Sequence, residues 1–141
     1  MTGTERGGGP QIRIFNGVGK LINPGWFAYD QKFRGGVYVA VADLNGNGNM
    51  EIIAGAGYGG GPHIRIFNNG GQLVSPGFMA FDPDQRGGVK VVAVDLDNDG
   101  WSEIVTTPGL GGNAEINIFD LNGNLKYEWQ AYKNKKNIDF A

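Results

Sequence analysis

The stretch Gly9–Asn16 reads Gly-Pro-Gln-Ile-Arg-Ile-Phe-Asn, and it returns 52 residues later at Gly61–Asn68 as Gly-Pro-His-Ile-Arg-Ile-Phe-Asn. The same offset pairs Pro24–Asp30 with Pro76–Asp82, and a more divergent third copy begins at Glu115. A fixed period of this length indicates stacked supersecondary units, because one such unit cannot bury its apolar face alone. The repeat therefore decides the fold.

Each period consists of short runs of β-branched and aromatic residues separated by glycine turns, which is the pattern of β-strands. In the most complete unit the predicted strands are Val37 to Ala42, Glu51 to Gly55, His63 to Phe67 and Leu73 to Phe81. Their connections are an acidic loop, the glycine run from Gly57 to Gly61, and an Asn69-Gly70 hairpin turn. No segment has the length and the 3.6-residue period of a helix.

Repeated units of four antiparallel strands are typical of β-propeller blades. We therefore predict an all-β chain in which residues 1–30 form a half blade, 31–82 and 83–132 form two full blades, and 133–141 form a tail or a partial first strand. About two and a half blades do not close a ring, which needs at least about four. A missing remainder of a longer protein would complete the ring, or several copies would do so, and three copies would supply roughly eight blades.

An acidic loop follows the predicted first strand of each full blade. Asp95–Glu103 reads Asp-Leu-Asp-Asn-Asp-Gly-Trp-Ser-Glu, and Asp43–Glu51 reads Asp-Leu-Asn-Gly-Asn-Gly-Asn-Met-Glu. Calcium loops require side-chain oxygens at positions 1, 3 and 5, a backbone carbonyl at position 7 and a closing carboxylate. The extended flanks on both sides exclude an EF-hand. The second loop has four carboxylates and the first has two, so Asx and glycine turns without metal remain an alternative, above all for the first loop.

The repeats and loops together resemble the FG-GAP family of propeller repeats, which occur in the integrin α-subunit headpiece and in lectin-like propellers. In the second full blade, Gly88–Val94 matches the first strand, Asp95–Glu103 the cation loop and Ile104–Pro108 the second strand. Ile52–Gly57 takes the place of the Gly-Ala-Pro segment in the first full blade, and the Phe-Gly pair is replaced by Phe33–Gly36. The match covers essentially the whole chain.

The resemblance implies that both loops bind Ca²⁺ and that the protein is extracellular or at the cell surface. In the second loop the implied ligands are the side chains of Asp95, Asp97, Asp99 and Glu103 and the carbonyl of Trp101. In the first loop they are the side chains of Asp43, Asn45, Asn47 and Glu51 and the carbonyl of Asn49. The family usually closes its loop with aspartate, and glutamate reaches farther, so direct and water-mediated ligation by the two glutamates both stay open.

The composition of the chain argues against nucleic-acid binding, a membrane span and catalysis. The net charge of −2 gives no basic field that would attract nucleic acid, and no apolar stretch approaches the roughly 20 residues of a membrane span. The N-terminus lacks the apolar run of a signal peptide. With no cysteine and one histidine, no nucleophile with a matching base emerges, so we do not predict an enzyme.

Two main functions remain open on the sequence, besides an accessory domain of an enzyme whose catalytic part lies elsewhere. The first is a calcium-stabilised scaffold for binding protein or carbohydrate, as in adhesion. The second is a structural unit that assembles into a homo-oligomeric ring, such as a trimer, with no dedicated ligand. Trp101, on the cation loop, is the candidate contact residue for an external ligand.

Overall fold

The computed structural model describes residues 1–130 and shows three antiparallel sheets, which confirms the prediction of an all-β chain. The N-terminal sheet consists of β1 (Thr2–Gly3), β2 (Gln11–Phe15) and β3 (Leu21–Phe27). The central sheet consists of β4 (Val37–Ala42), β5 (Glu51–Ala56), β6 (His63–Phe67) and β7 (Leu73–Met79). The C-terminal sheet consists of β8 (Val89–Val94), β9 (Glu103–Pro108), β10 (Glu115–Phe119) and β11 (Leu125–Gln130). In each sheet, strands that follow one another along the chain are hydrogen-bonded neighbours.

Strand β1 is an element that the sequence pattern did not predict, because two residues show no alternation of apolar and polar side chains. It pairs with β2 in the register Thr2↔Arg13 and Gly3↔Ile12. That register repeats 52 residues later between β5 and β6, where Gly55 lies opposite Ile64. The region predicted to hold two strands, residues 1–30, therefore holds three.

The core lies between the sheets. On one face of the central sheet, Ile52, Ala54 and Phe67 pack with Ile12 of the N-terminal sheet. On the other face, its buried side chains pack with those of the C-terminal sheet; this cluster includes Ile53, Ile64, Ile66, Val89, Ile104 and Phe119. All six residues of β5 are buried, because this strand is covered on both faces. Burial on both faces explains why β5 reads as a continuous apolar run after Glu51.

Neighbouring sheets approach each other closely at two strand glycines. A Cβ atom at Gly55 would lie 2.4 Å from the carbonyl oxygen of Val89, and one at Gly3 would lie 2.6 Å from that of Val37. Any larger residue would hold the sheets apart. The contact between the first two sheets also includes a hydrogen bond from the Val37 N–H to the Thr4 carbonyl, at 2.8 Å.

The predicted tail or partial strand at residues 133–141, and the last two residues of the second full unit, lie outside the described residues. Within residues 1–130, no helix has the length and apolar character needed to cross a membrane.

Candidate metal centre

The second acidic loop joins β8 to β9 and brings its carboxylates together. One oxygen from each of Asp95, Asp97, Asp99 and Glu103 lies within 4.8 Å of the others. The four residues predicted as side-chain ligands of this loop thus form one cluster. Hard cations such as calcium take their ligands from oxygen atoms gathered in this way, so the donor set fits such an ion.

Hydrogen bonds from the loop backbone position these carboxylates. Asp95 accepts from the Asp99 N–H at 3.2 Å through Oδ1 and from the Gly100 N–H at 2.9 Å through Oδ2. Asp99 accepts from the Trp101 N–H at 2.8 Å. Asp and Asn favour such turns because their side chains accept hydrogen bonds from nearby backbone N–H groups. Gly favours them because it adopts positive φ angles without steric cost. The loop is therefore shaped by its own hydrogen bonds.

Glu103 closes the loop from the start of β9, where its side chain is only 2 % exposed. Its Oε2 accepts a hydrogen bond from the Leu96 N–H at 2.8 Å, and its Oε1 accepts one from Lys126 Nζ at 2.8 Å. A buried carboxylate requires such partners, because burial of an unpaired charge is costly. Glu103 thus ties the second residue of the loop to the sheet.

Lys126, on β11, places a positive charge against the cluster. Its Nζ lies 2.8 Å from Glu103 Oε1 and 3.3 Å from Asp97 Oδ2. Hydrogen bonding to Glu103, followed by that to Asp97, raises the pKa of Lys126 above its ordinary value. Burial raises the pKa of Asp97, but hydrogen bonds from Lys126 and Asp99 outweigh it and leave that pKa below its usual range. The ammonium group of Lys126 is therefore a positive charge of the protein itself that already pairs with two of the four carboxylates.

Sequence reasoning missed Lys126, which lies 23 residues after Glu103 along the chain. The repeat offered one signal. The corresponding residue of the central sheet, 52 positions earlier, is Val74, so an amino group stands where the other copy has an apolar side chain. A lysine that replaces an apolar residue of the repeat is a candidate for a specific charge contact, although the repeat does not say with which residue.

The first acidic loop, between β4 and β5, is satisfied to a larger extent by its own backbone. Asp43 Oδ1 accepts from the N–H groups of Asn45, Gly46 and Asn47, and Oδ2 accepts from Gly48 at 2.7 Å. These hydrogen bonds, led by that of Gly48, lower the pKa of Asp43. The geometry matches the Asx-turn alternative, in which the loop keeps its shape without metal.

The remaining predicted ligands of the first loop make hydrogen bonds that correspond to those of the second loop. Asn47 Oδ1 accepts from the Asn49 N–H at 2.8 Å, and Asn45 Oδ1 accepts from the Asn47 N–H at 3.1 Å. Glu51 is buried, and its Oε2 accepts from the Leu44 N–H at 2.8 Å, which is the counterpart of the bond that Glu103 makes. The glutamate at the end of each loop therefore has the same structural role.

Trp101 links the two loops. Its indole ring lies against Gly46 of the first loop, since a Cβ atom at Gly46 would come within 2.5 Å of the indole nitrogen. Next to it, the Ser102 N–H donates to the Asp43 carbonyl at 3.0 Å. About half of the Trp101 side chain remains exposed. The residue predicted as a ligand contact thus also packs the two acidic loops against each other.

A cavity of about 830 Å³ opens at the opposite end of the sheets, where β4 and β8 begin. Its lining includes two tyrosines and two basic side chains. The Arg6 guanidinium lies 4.0 Å from the ring centre of Tyr58, and Lys90 Nζ lies 6.0 Å from that of Tyr38. Neither cation forms a salt bridge in the part of the chain that the structure describes. The lining also contains Glu5, so the cavity combines aromatic surface with a small net positive charge.

The sequence did not reveal this cavity, because its residues come from three sheets. The repeat explains their meeting, since Tyr38 and Lys90 occupy the same position in successive units, as do Arg6 and Tyr58.

Comparisons of the chain with protein-family models, with curated proteins and with solved structures gave no match.

Proposed function

We propose that the chain is a segment of a calcium-stabilised β-propeller of the FG-GAP type, and that it serves as a scaffold for binding protein or carbohydrate outside the cell. The observation that carries this proposal is the cluster of four carboxylates within 4.8 Å at the β8–β9 connection. Metal at this point holds together the loop that joins two neighbouring strands. The binding surface is a separate part of the same scaffold.

The propeller arrangement is supported by contacts that repeat between sheets. The Gly7 N–H donates to the Arg34 carbonyl at 2.7 Å, and 52 residues later the Gly59 N–H donates to the Arg86 carbonyl at 2.8 Å. The same step therefore relates the first sheet to the second and the second to the third. Units that follow one another by a constant step form an open solenoid or a closed ring, and four-stranded meanders are the blades of propellers.

Calcium is the proposed ion because the donor atoms of the cluster are all oxygen. The cluster contains no thiolate or imidazole, the ligands that favour zinc or copper. Magnesium requires near-ideal octahedral geometry and retains several waters, whereas calcium accepts six to eight oxygens with variable geometry. Lys126 Nζ, 2.8 Å from Glu103 Oε1, supports the attraction of a cation to this point.

We expect calcium to raise the melting temperature of the wild-type protein. At a hundredfold excess over Kd, binding to the folded state alone adds about 2.7 kcal/mol, or roughly 8 °C for a chain of this size. Asp97→Asn combined with Asp99→Asn should abolish most of this shift, because both loop carboxylates are lost. Differential scanning fluorimetry in calcium and in chelator measures it.

The matched control for that experiment is Asp84→Asn, which makes the same chemical change at an exposed residue outside both acidic loops. It should keep the wild-type response to calcium. A wild-type melting temperature that is the same in calcium and in chelator would contradict the proposal of calcium stabilisation. A shift that magnesium reproduces at equal concentration would contradict the choice of ion.

The cavity at the other end of the sheets is the proposed ligand surface. Exposed tyrosine rings provide flat apolar faces with a hydroxyl group, and they are suited to partners that combine apolar and polar surface. Arg6 and Lys90 add positive charge without a carboxylate partner within residues 1–130. This combination suits a carbohydrate that carries carboxylate or sulfate groups.

We expect the protein to bind acidic glycans in preference to neutral ones on a glycan array. Replacing Arg6 and Lys90 with glutamine should reduce that binding at least tenfold, because two cation contacts to the ligand are lost. Lys20→Gln, on the exposed turn between β2 and β3, removes the same charge elsewhere and should leave binding unchanged. If neither acidic nor neutral glycans bind, a carbohydrate ligand is ruled out and a protein ligand or self-assembly takes its place.

A further inference from the structure

One aromatic side chain on the last strand of a sheet packs into the sheet that follows. The rings of Trp26 on β3 and Phe67 of the central sheet have their centres 5.7 Å apart. The rings of Phe78 on β7 and Phe119 of the C-terminal sheet have theirs 4.7 Å apart. Trp26 and Phe78 are 52 residues apart, and we refer to this position as the wedge. The wedge is thus a repeated contact between successive sheets.

The residues that receive a wedge form a socket of one phenylalanine and one turn glycine. The two sockets are Phe67 with Gly71 and Phe119 with Gly123. A Cβ atom at Gly71 would lie 2.8 Å from the ring of Trp26, and one at Gly123 would lie 2.8 Å from the ring of Phe78. A side chain at either glycine would occupy the space that the wedge fills. The glycine is therefore a requirement of the contact.

A third wedge lies on the outward face of the C-terminal sheet. Trp129 on β11 lies directly opposite Ile116, as Trp26 lies opposite Ile12. Its side chain is 57 % exposed, although tryptophan normally buries most of its surface. It is thus the one wedge within the described residues that packs into no socket.

Other apolar residues lie on the outward face of the same sheet, at positions that are buried one unit earlier. Leu44 is 1 % exposed in the core between the central and C-terminal sheets, whereas its counterpart Leu96 is 50 % exposed. Ala42 belongs to the same core, and its counterpart Val94 is exposed. The outward face of the C-terminal sheet therefore has the apolar pattern of a sheet-to-sheet interface.

A socket without a wedge lies on the outward face of the N-terminal sheet. Phe15 and Gly19 are the counterparts of Phe67 and Gly71, 52 residues earlier. Phe67 is buried, whereas Phe15 is only half buried. No atom lies within 4 Å of a Cβ position at Gly19. The space that a wedge fills in the other two sockets is therefore open here.

We propose that Trp129 of one copy of this chain inserts between Phe15 and Gly19 of a second copy. The contact continues, from one molecule to the next, the interface that already joins the sheets within each molecule. It is a head-to-tail contact, which closes into a ring when the rotation at each step permits it. The inference rests on the proposed propeller arrangement and names its partner as another copy, with about three copies in the ring.

Two substitutions test the contact from its two sides. Trp129→Gln removes the wedge. Gly19→Asn fills the socket and is expected to leave the monomer folded, because the space around Gly19 is open and asparagine tolerates its φ of +83°. Aromatic residues at interface centres contribute strongly to binding, so each variant should weaken self-association by roughly thirtyfold or more. Analytical ultracentrifugation of the full chain measures this, with Gly17→Asn as control for the turn.

Mixing the two variants distinguishes a contact between two different faces from a contact of one face with itself. Trp129→Gln retains the socket and Gly19→Asn retains the wedge, so an equimolar mixture should form a 1:1 complex although each variant alone is monomeric. In a symmetric contact between two equal faces, mixing would restore nothing. Native mass spectrometry of the mixture shows the 1:1 species directly.

A wild-type chain that stays monomeric at high concentration would overturn this inference, and it would point to residues 131–141 or a different protein as the cover of the exposed face. An oligomer that both variants leave intact would also overturn it. These outcomes are independent of the calcium response. A monomer that calcium stabilises contradicts the inference alone, whereas an assembling chain without calcium stabilisation contradicts the proposed metal site alone.

Discussion

A protein carrying Gly55→Ala is expected to melt roughly 10 °C below the wild type, because the added methyl group has no room between the central and C-terminal sheets. A Cβ atom at Gly55 would lie 2.4 Å from the Val89 carbonyl oxygen and 3.1 Å from Val91 Cγ1. A backbone oxygen cannot rotate away as a side chain can, so the sheets must move apart by roughly 1 Å at this point. We expect a loss of about 3 kcal/mol in the free energy of unfolding.

The sign of this effect is informative, because conformational entropy acts in the opposite direction. Alanine in the interior of a strand is favoured over glycine by roughly 0.5–1 kcal/mol. If the sheets were loosely apposed, Gly55→Ala would therefore stabilise the protein. The expected destabilisation of about 3 kcal/mol is roughly three to six times that gain, so packing between the sheets decides the result.

Thermal and urea unfolding followed by circular dichroism measure the change. Gly17→Ala serves as the control, because no atom lies within 4 Å of a Cβ position there. It should shift the melting temperature by no more than a few degrees. A Gly55→Ala protein that melts at or above the wild-type temperature would contradict the close packing of β5 against β8.

The repeat made the strands and the acidic loops predictable from the sequence. Because the copies are 52 residues apart, each strand of the central sheet could be recognised twice, and the predicted bounds of its first and third strands, Val37 to Ala42 and His63 to Phe67, agree with the structure. Asp95, Asp97 and Asp99 lie on one short loop, so the clustering of their carboxylates could likewise be predicted from their spacing alone. Local patterns of this kind do not depend on how the sheets are stacked.

Features that depend on the stacking could not be predicted in the same way. The cavity joins Tyr38 of β4 with Lys90 of β8, and it joins Arg6 of the β1–β2 connection with Tyr58 of the β5–β6 connection. Lys126 reaches Glu103 across the C-terminal sheet, and nothing in its own sequence neighbourhood marks it as a partner of an acidic loop. Strand β1 was missed because two residues become a strand only when β2 offers them hydrogen bonds. In each case the missing information is a long-range contact.

Replacing Lys126 with methionine is expected to lower the stability of the metal-free protein and to tighten calcium binding. Without metal, the ammonium group is the positive charge that balances Asp97 and Glu103, at 3.3 and 2.8 Å from their oxygens. Its removal leaves the buried Glu103 carboxylate without its cationic partner, which is costly. Methionine retains most of the apolar stem of lysine, so the change is mainly electrostatic.

With calcium, the same ammonium group repels the ion. Two charges on calcium and one on lysine, about 5 Å apart, repel by roughly 1 to 2 kcal/mol in a water-like dielectric, so Lys126→Met should strengthen binding by on the order of tenfold. The separation between melting temperatures in calcium and in chelator should therefore widen. Isothermal titration calorimetry gives the change in Kd, and Lys20→Met, an equal loss of charge at an exposed turn residue, should leave Kd unchanged.

The two effects of Lys126→Met have opposite signs only if lysine and metal compete for the same carboxylates. A merely structural ion pair would predict lower stability in both conditions and an unchanged Kd. A lysine that supported the loop in its metal-binding shape would predict weaker calcium binding. Tighter binding together with a less stable metal-free protein would thus identify Lys126 as an internal cation that calcium displaces from Asp97 and Glu103.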